Sequence, residues 1–266
     1  MKSYLMESPD EELRLELKTD PDAVRSQAEW CGVGEGLKIL DAGCGPGIVT
    51  RILHTMVGPS GSVLGVDYSE KRIAYAKKKY ENPPGIQFVK HDLRDSLPYK
   101  DHFDLVWARF VLEYNRNELV QIVSNLSATL KQGGALCLLD LDNNCMNHFP
   151  LPEKIRAVLP EILNLLETKY NFDQFVGRKL YTILYDLGYG DVSVEMRPHH
   201  LIYGQLMDRD FFNWIKKVEM ITSREKQLFA GYPEGVKGFF RDFENFFRDP
   251  RRFTYTPLIM CKGTKP

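Results

Sequence analysis

Lys38-Ile-Leu-Asp-Ala-Gly-Cys-Gly-Pro-Gly47 carries a short apolar run straight into three glycines, and a helical stretch from Val49 to Val57 follows at once. This is a strand, a tight turn and a helix. Glycine tolerates positive φ and has no side chain, so a ligand can approach the backbone where the amides at a helix start point outward. A glycine pattern alone is weak evidence, since nicotinamide enzymes use a related one. Here the spacing is G-x-G-x-G, Asp41 precedes it and Pro46 occupies the turn.

Moving outward, Val63-Leu-Gly-Val-Asp67-Tyr-Ser69 ends a second apolar run on a carboxylate, placed to accept both hydroxyls of a ribose. Phe88-Val-Lys-His-Asp92-Leu93 ends a third on another acid. A fourth run, Phe103 to Ala108, continues as Arg109-Phe-Val-Leu-Glu113-Tyr114, and a fifth spans Ala135 to Leu141. Helical stretches lie between them at Glu70 to Tyr80, with Ser69 as its cap, and at Glu118 to Leu130, which Lys131-Gln-Gly-Gly134 is expected to close. Strands alternating with helices predict a doubly wound α/β fold on a parallel sheet.

After Leu141 the rhythm changes. Helices are expected over Pro152 to Thr168 and Gln174 to Leu187, then strands over Asp191 to Arg197 and Phe253 to Cys261. Between those strands Phe239, Phe240, Phe243, Phe246 and Phe247 share one helical face, which either packs on the domain or lines an apolar cavity. At the other end, Ser8-Pro-Asp-Glu11 and Asp20-Pro21 each read as a helix start.

The 266 residues hold 35 Lys plus Arg against 36 Asp plus Glu, a net charge of −1 that argues against nucleic acid as partner. No run approaches the ~20 apolar residues of a membrane helix and no signal-peptide core precedes the acidic start, so a soluble, cytoplasmic protein without a membrane partner is expected. The five cysteines, Cys31, Cys44, Cys137, Cys145 and Cys261, contain no C-x-x-C pair, and reduced thiols with no metal are expected.

Between Leu37 and Asp142 the ordered motifs resemble the class I S-adenosylmethionine-dependent methyltransferases, in particular the small-molecule branch of UbiE and arsenite-methyltransferase type. The resemblance implies a Rossmann-like fold with a seven-stranded, mostly parallel sheet of order 3-2-1-4-5-7-6, strand seven antiparallel. It implies S-adenosyl-L-methionine as cofactor and S-adenosyl-L-homocysteine as product. Asp41 and Gly43 would lie by the methionine moiety, Cys44 would also bind the cofactor, and Gly45 would permit close backbone approach. Asp67 would hold the ribose, Tyr68 would cover the adenine, Asp92 would take its amino group and Leu93 would offer a backbone amide. Ala108 and Arg109 would flank the sulfonium. The opening Tyr4 to Leu15 looks like the lid of some relatives, in which Tyr4 and Arg14 would close over the cofactor.

Departures narrow the acceptor. Glu113-Tyr114 stands where many relatives have Glu-His, so no histidine base is implied there. Ala108-Arg-Phe-Val111 replaces the Asn- or Asp-Pro-Pro-Tyr of enzymes that methylate amino nitrogens of bases, and neither a metal-binding acid at that strand end nor a cysteine cluster is present. Tyr114, Glu113 and His148 are the candidate catalytic groups, with Asp142 and Tyr203 behind them.

The expected organisation is a lid over 1–34, a cofactor-binding core over 35–142, a helical insertion and last core helix over 143–187, final strands over 188–204 and 251–266, and a cap over 205–250. The expected function is methyl transfer to a small or medium-sized, apolar or aromatic acceptor, by a monomer or homodimer. The alternatives are cyclisation or decarboxylation on the same fold, a protein acceptor, or a silent binding partner.

Overall fold

The computed structural model describes residues 11–144 and 146–266. Strands β1 (Lys38–Ala42), β2 (Ser62–Asp67), β3 (Ile86–Lys90), β4 (Phe103–Arg109) and β5 (Leu130–Leu141) are parallel and lie in the order β3-β2-β1-β4-β5. β6 (Asn147–Phe149), β7 (Gly190–Ile202) and β8 (Phe253–Thr264) complete the sheet. β8 runs antiparallel to β5 on one edge and to β7 on the other. The expected order is thus present, with β6 as an addition that resumes the edge of β8 where β5 leaves it.

Alternation within the strands divides the core. Val106, Ala108, Leu136 and Leu138 pack with α5 (Leu119–Thr129) and α7 (Leu180–Asp186), whereas Leu105, Trp107, Cys137 and Leu139 pack with α2 (Pro21–Cys31) and α3 (Ile48–Val57). Both faces of the sheet are therefore covered, as a parallel sheet requires. Local signals set the helix ends. Asp20 accepts from the amides of Asp22 and Ala23 with Pro21 in the first turn of α2, and Ser69 caps α4 (Glu70–Tyr80) through the Arg72 amide.

Two expectations are corrected. Lys131-Gln-Gly-Gly134 does not close α5; that helix stops at Thr129, and the glycines form an irregularity inside β5, with Gly133 at φ +74°. The helix expected from Gln174 begins only at Leu180, after a 3-10 turn at Gly177–Lys179, in which Gly177 packs where a Cβ would strike Ile259, Asp142 and the Leu141 carbonyl.

The remaining helices, α6 (Glu153–Tyr170), α8 (Asp208–Arg224) and α9 (Gly235–Arg248), build a separate apolar cluster above the carboxyl ends of the strands. Phe239, Phe243, Phe246 and Phe247 are all buried in it. α1 (Glu11–Lys18) crosses from this cap to α4: Arg14 donates to Asn213 of α8, while Glu16 accepts from Lys79 and the hydroxyls of Tyr75 and Tyr80. Among the described residues no helix is long and apolar enough to cross a membrane.

Candidate active site

A cleft of about 160 Å³ opens over the carboxyl ends of β1 to β4. Its floor is the loop from Gly43 to Gly47, where Gly43, Gly45 and Gly47 have φ of +74°, +56° and +89°. Gly47 begins α3 in the left-handed region, and a Cβ there would meet Ala76 and Phe88 at 2.8 Å, so glycine is required on both counts.

Asp67 ends β2 and is buried. One carboxylate oxygen accepts from the Ser69 amide and from Arg72 (3.2 and 3.0 Å), the other from the Gly45 amide at 3.1 Å. The glycine loop and the second strand are thereby locked together. Arg72, in the first turn of α4, also lies 5.1 Å over the Tyr68 ring and is a lining residue that the motifs of the sequence did not include. Tyr68 and Leu93 line the cleft, and so does Asp92, whose carboxyl the Arg94 guanidinium holds below the usual range.

Across the glycine loop the lining changes sign. Arg109 and Lys18 face the cleft with Phe110 between them, at 4.0 and 5.5 Å from its ring. Phe110 has φ +59°, the left-handed conformation that costs a bulky residue about 1–3 kcal/mol and collects at functional sites. Burial lowers Arg109 to about 10, and burial with the cations Arg14 and Lys217 nearby lowers Lys18 to about 7.

Of the residues expected at the cofactor, Gly43, Cys44, Gly45, Asp67, Tyr68, Asp92, Leu93 and Arg109 line this cleft. Asp41 and Ala108 do not. Asp41 lies beneath the loop, where burial lifts it to about 7 and Thr50 donates to it at 2.6 Å; Ala108 belongs to the core. Arg14 turns away to grip Glu11 and Asn213, and Tyr4 lies outside the described residues.

Beside the cleft, a cavity of about 130 Å³ lies among α6, α8 and α9, walled chiefly by Leu, Ile and Phe with Trp214 and His148. Tyr114 lines both spaces. A small polar neck of about 20 Å³ meets Tyr114 as well, bordered by Arg14, Lys18, Glu113, Asn144, Lys217 and the pair His199–His200. Glu113 is raised by burial, accepts from Asn144 at 2.9 Å and is bonded by the Tyr114 hydroxyl. His148 shares a 2.8 Å hydrogen bond with Thr254 and packs against Trp214 and Phe246. Asp142 is instead clamped by Arg178, and Tyr203 is exposed, so neither joins the site.

His199 and His200 escaped the sequence reading. Neighbours in a strand normally point to opposite faces. Here Pro198 faces Pro257 and His200 faces Thr256, so His199 is the extra residue of a bulge. The bulge brings both rings to the neck, 4.3 Å apart, and burial holds both well below the usual histidine range. Pro198 inside a strand was the available signal.

Topology, glycine loop and paired acids define a class: the chain has the fold of the class I S-adenosylmethionine-dependent methyltransferases. Residues 39–134 match the family model described as a methyltransferase domain. Over 108 residues the chain is 40% identical to demethylmenaquinone methyltransferase of Staphylococcus carnosus, a match covering 40% of this chain and 44% of that protein. The chain thus spans less than half the length of that relative. Among solved structures, the YcgJ protein of Bacillus subtilis superposes with a TM-score of 0.61 at 16% identity, over 92% of this chain and 99% of that one. Phosphoethanolamine N-methyltransferase 2 of Haemonchus contortus, solved with phosphomonomethylethanolamine and S-adenosylhomocysteine, gives 0.58 at 17% identity over 92% and 52%.

Proposed function

We propose that this chain transfers a methyl group from S-adenosyl-L-methionine to a small or medium-sized organic acceptor with an apolar or aromatic body. The observation that carries the reading is Tyr114, which borders both the cleft and the apolar cavity.

The cleft fits the cofactor by its own chemistry. Asp67 and Asp92 offer acceptors for hydroxyl and amino groups at the β2 and β3 end, and Arg109 and Lys18 offer cations for a carboxylate at the β4 end. When bound, the cofactor supplies a sulfonium methyl that passes to a lone pair while the bonding electrons stay on sulfur. The protein's part is alignment, which can supply about 7–11 kcal/mol, together with exclusion of water. Tyr114 orients the acceptor at the junction, and Glu113 collects through the Tyr114 hydroxyl any proton the acceptor brings. His148 holds the far wall of the cavity. Within residues 1–34 the lid is α1, since α2 packs against the sheet as part of the core, and residues 205–250 act as the cap.

An acceptor enclosed by three helices is a small molecule rather than a protein segment, and a methyl donor cleft beside it favours transfer over cyclisation or decarboxylation. Calorimetry with S-adenosylhomocysteine, followed by its release from S-adenosylmethionine across small-molecule and peptide acceptors, tests this. Micromolar binding with release on small molecules is expected; binding without any release, or release on peptides alone, would overturn the reading.

A further inference from the structure

We propose that two copies of this chain pair through the face of β6, β8 and β7 that points away from the cap. The inference goes beyond the methyltransferase reading and does not depend on it.

Strand register decides which side chains share that face. Residues directly opposite in an antiparallel ladder point the same way, and the direction alternates along each strand. Thr254 and Thr256 of β8 lie opposite His148, Ile202 and His200, and the two histidines of that side pack on Trp214 of the cap. The other side carries Phe253 and Tyr255 of β8, with Phe149 opposite the first and Leu201 opposite the second, and further along β7 Met196 and Val194. The bulge at His199 keeps Met196 and Leu201 on one side although five positions separate them, and the facing prolines Pro198 and Pro257 fill the interval. All six large side chains are at least two-fifths exposed, Phe149 at 71% and Met196 at 68%.

Area, charge and backbone together select a second copy as the occupant. With ~150–250 Å² for each whole aromatic side chain, the exposed parts of the six offer roughly 500 Å² of contiguous apolar surface, an extent that marks an interaction site. A stable homodimer covers ~800 Å² on each partner, about two-thirds of it apolar, which this face supplies. The arginines of β7 and of the approach to β8 are each matched by an acid two residues away, Arg197 by Glu195 and Arg251 by Asp249. They leave no cationic fringe to hold an anionic membrane, nor a net sign to choose an oppositely charged protein. The same face of another copy matches such a neutral apolar surface, as a two-fold pair requires. Pro198 and the bulge interrupt the outer edge of β7, so the contact is face to face rather than strand to strand.

Sedimentation of the full chain should show mostly dimer at about 20 μM. Met196→Glu and Leu201→Glu should each raise the dissociation constant about tenfold or more, since pairing then buries a charge. Val89→Glu, on β3 at the opposite edge of the sheet, should leave it unchanged. Circular dichroism checks that each variant is folded. Where a glutamate prevents folding, Met196→Ser combined with Leu201→Ser removes apolar area without adding charge and should weaken pairing to a similar extent. A chain that stays monomeric at about 100 μM, a dimer as indifferent to these changes as to Val89→Glu, or a monomer that instead floats with phosphatidylcholine vesicles would overturn the proposal.

Discussion

Asp67 is asked to do two things at once. Its carboxylate ties the Gly45 amide and Arg72 into the floor of the cleft, and it is the group assigned to the ribose. Asp67→Ala should therefore weaken S-adenosylhomocysteine binding by about 2 kcal/mol or more, through loss of a charged acceptor. It should also lower stability by about 1–3 kcal/mol, since the Gly45 and Ser69 amides and the Arg72 guanidinium all lose a buried acceptor. Arg72→Met separates the two, lowering stability in urea while cofactor affinity by calorimetry stays within a few-fold; unaltered affinity in Asp67→Ala would remove the ribose assignment. Gly47→Ala should cost about 1–3 kcal/mol by chemical denaturation, because the wall of Ala76 and Phe88 is not the end of a flexible side chain. These residues were legible because each motif is local: a strand end, a turn and a helix start written in ten residues. Lys18, Lys217 and the two histidines were not, since each becomes part of the site only when distant elements converge.

At the level of elements, α1 is held by charge more than by apolar burial, with Leu13 and Leu17 both about half exposed. Burial tends to raise Glu16, but the hydrogen bonds from Lys79, Tyr80 and Tyr75 outweigh it and hold the carboxyl below its ordinary value. A depressed carboxylate contributes stability above its unfolded pKa and loses it as pH falls through the folded one. Acidification below the ordinary glutamate range should thus loosen α1 before the sheet. Hydrogen exchange should show α1 amides losing protection at a pH where β1 amides keep theirs, with Glu16→Gln shifting the onset; simultaneous loss, or no shift, would show that this contact does not anchor the helix. The strands of the parallel core could be read from alternation and glycine alone. By contrast β6 has three residues and no pattern of its own, and exists because β8 offers it an unpaired edge that β5 has vacated.

For the whole molecule, the cap and the sheet have separate apolar clusters, so one can vary while the other is kept. Exchanging residues 205–250 for the corresponding segment of a relative should alter acceptor choice, read from release of S-adenosylhomocysteine, and leave cofactor affinity within a few-fold. Loss of cofactor binding in a folded hybrid, with acceptor preference intact, would put the acceptor elsewhere. That a cap follows the last helix was visible in the break of rhythm after Leu141; that α6, α8 and α9 enclose a cavity was not, because the same phenylalanine spacing serves a solid core equally well. The bulge in β7 carries a consequence for how the chain tolerates changes in length. Registers on both sides of His199 are set by Pro198 opposite Pro257 and His200 opposite Thr256, so removal of that one residue straightens the strand without displacing its neighbours. A chain lacking His199 should melt within about 5 °C of the parent, whereas one lacking Val194 must slip a run of paired residues and should fall further. Length at this point is thus free to drift by one, and with it the number of imidazoles at the neck, while the sheet that carries them keeps its place.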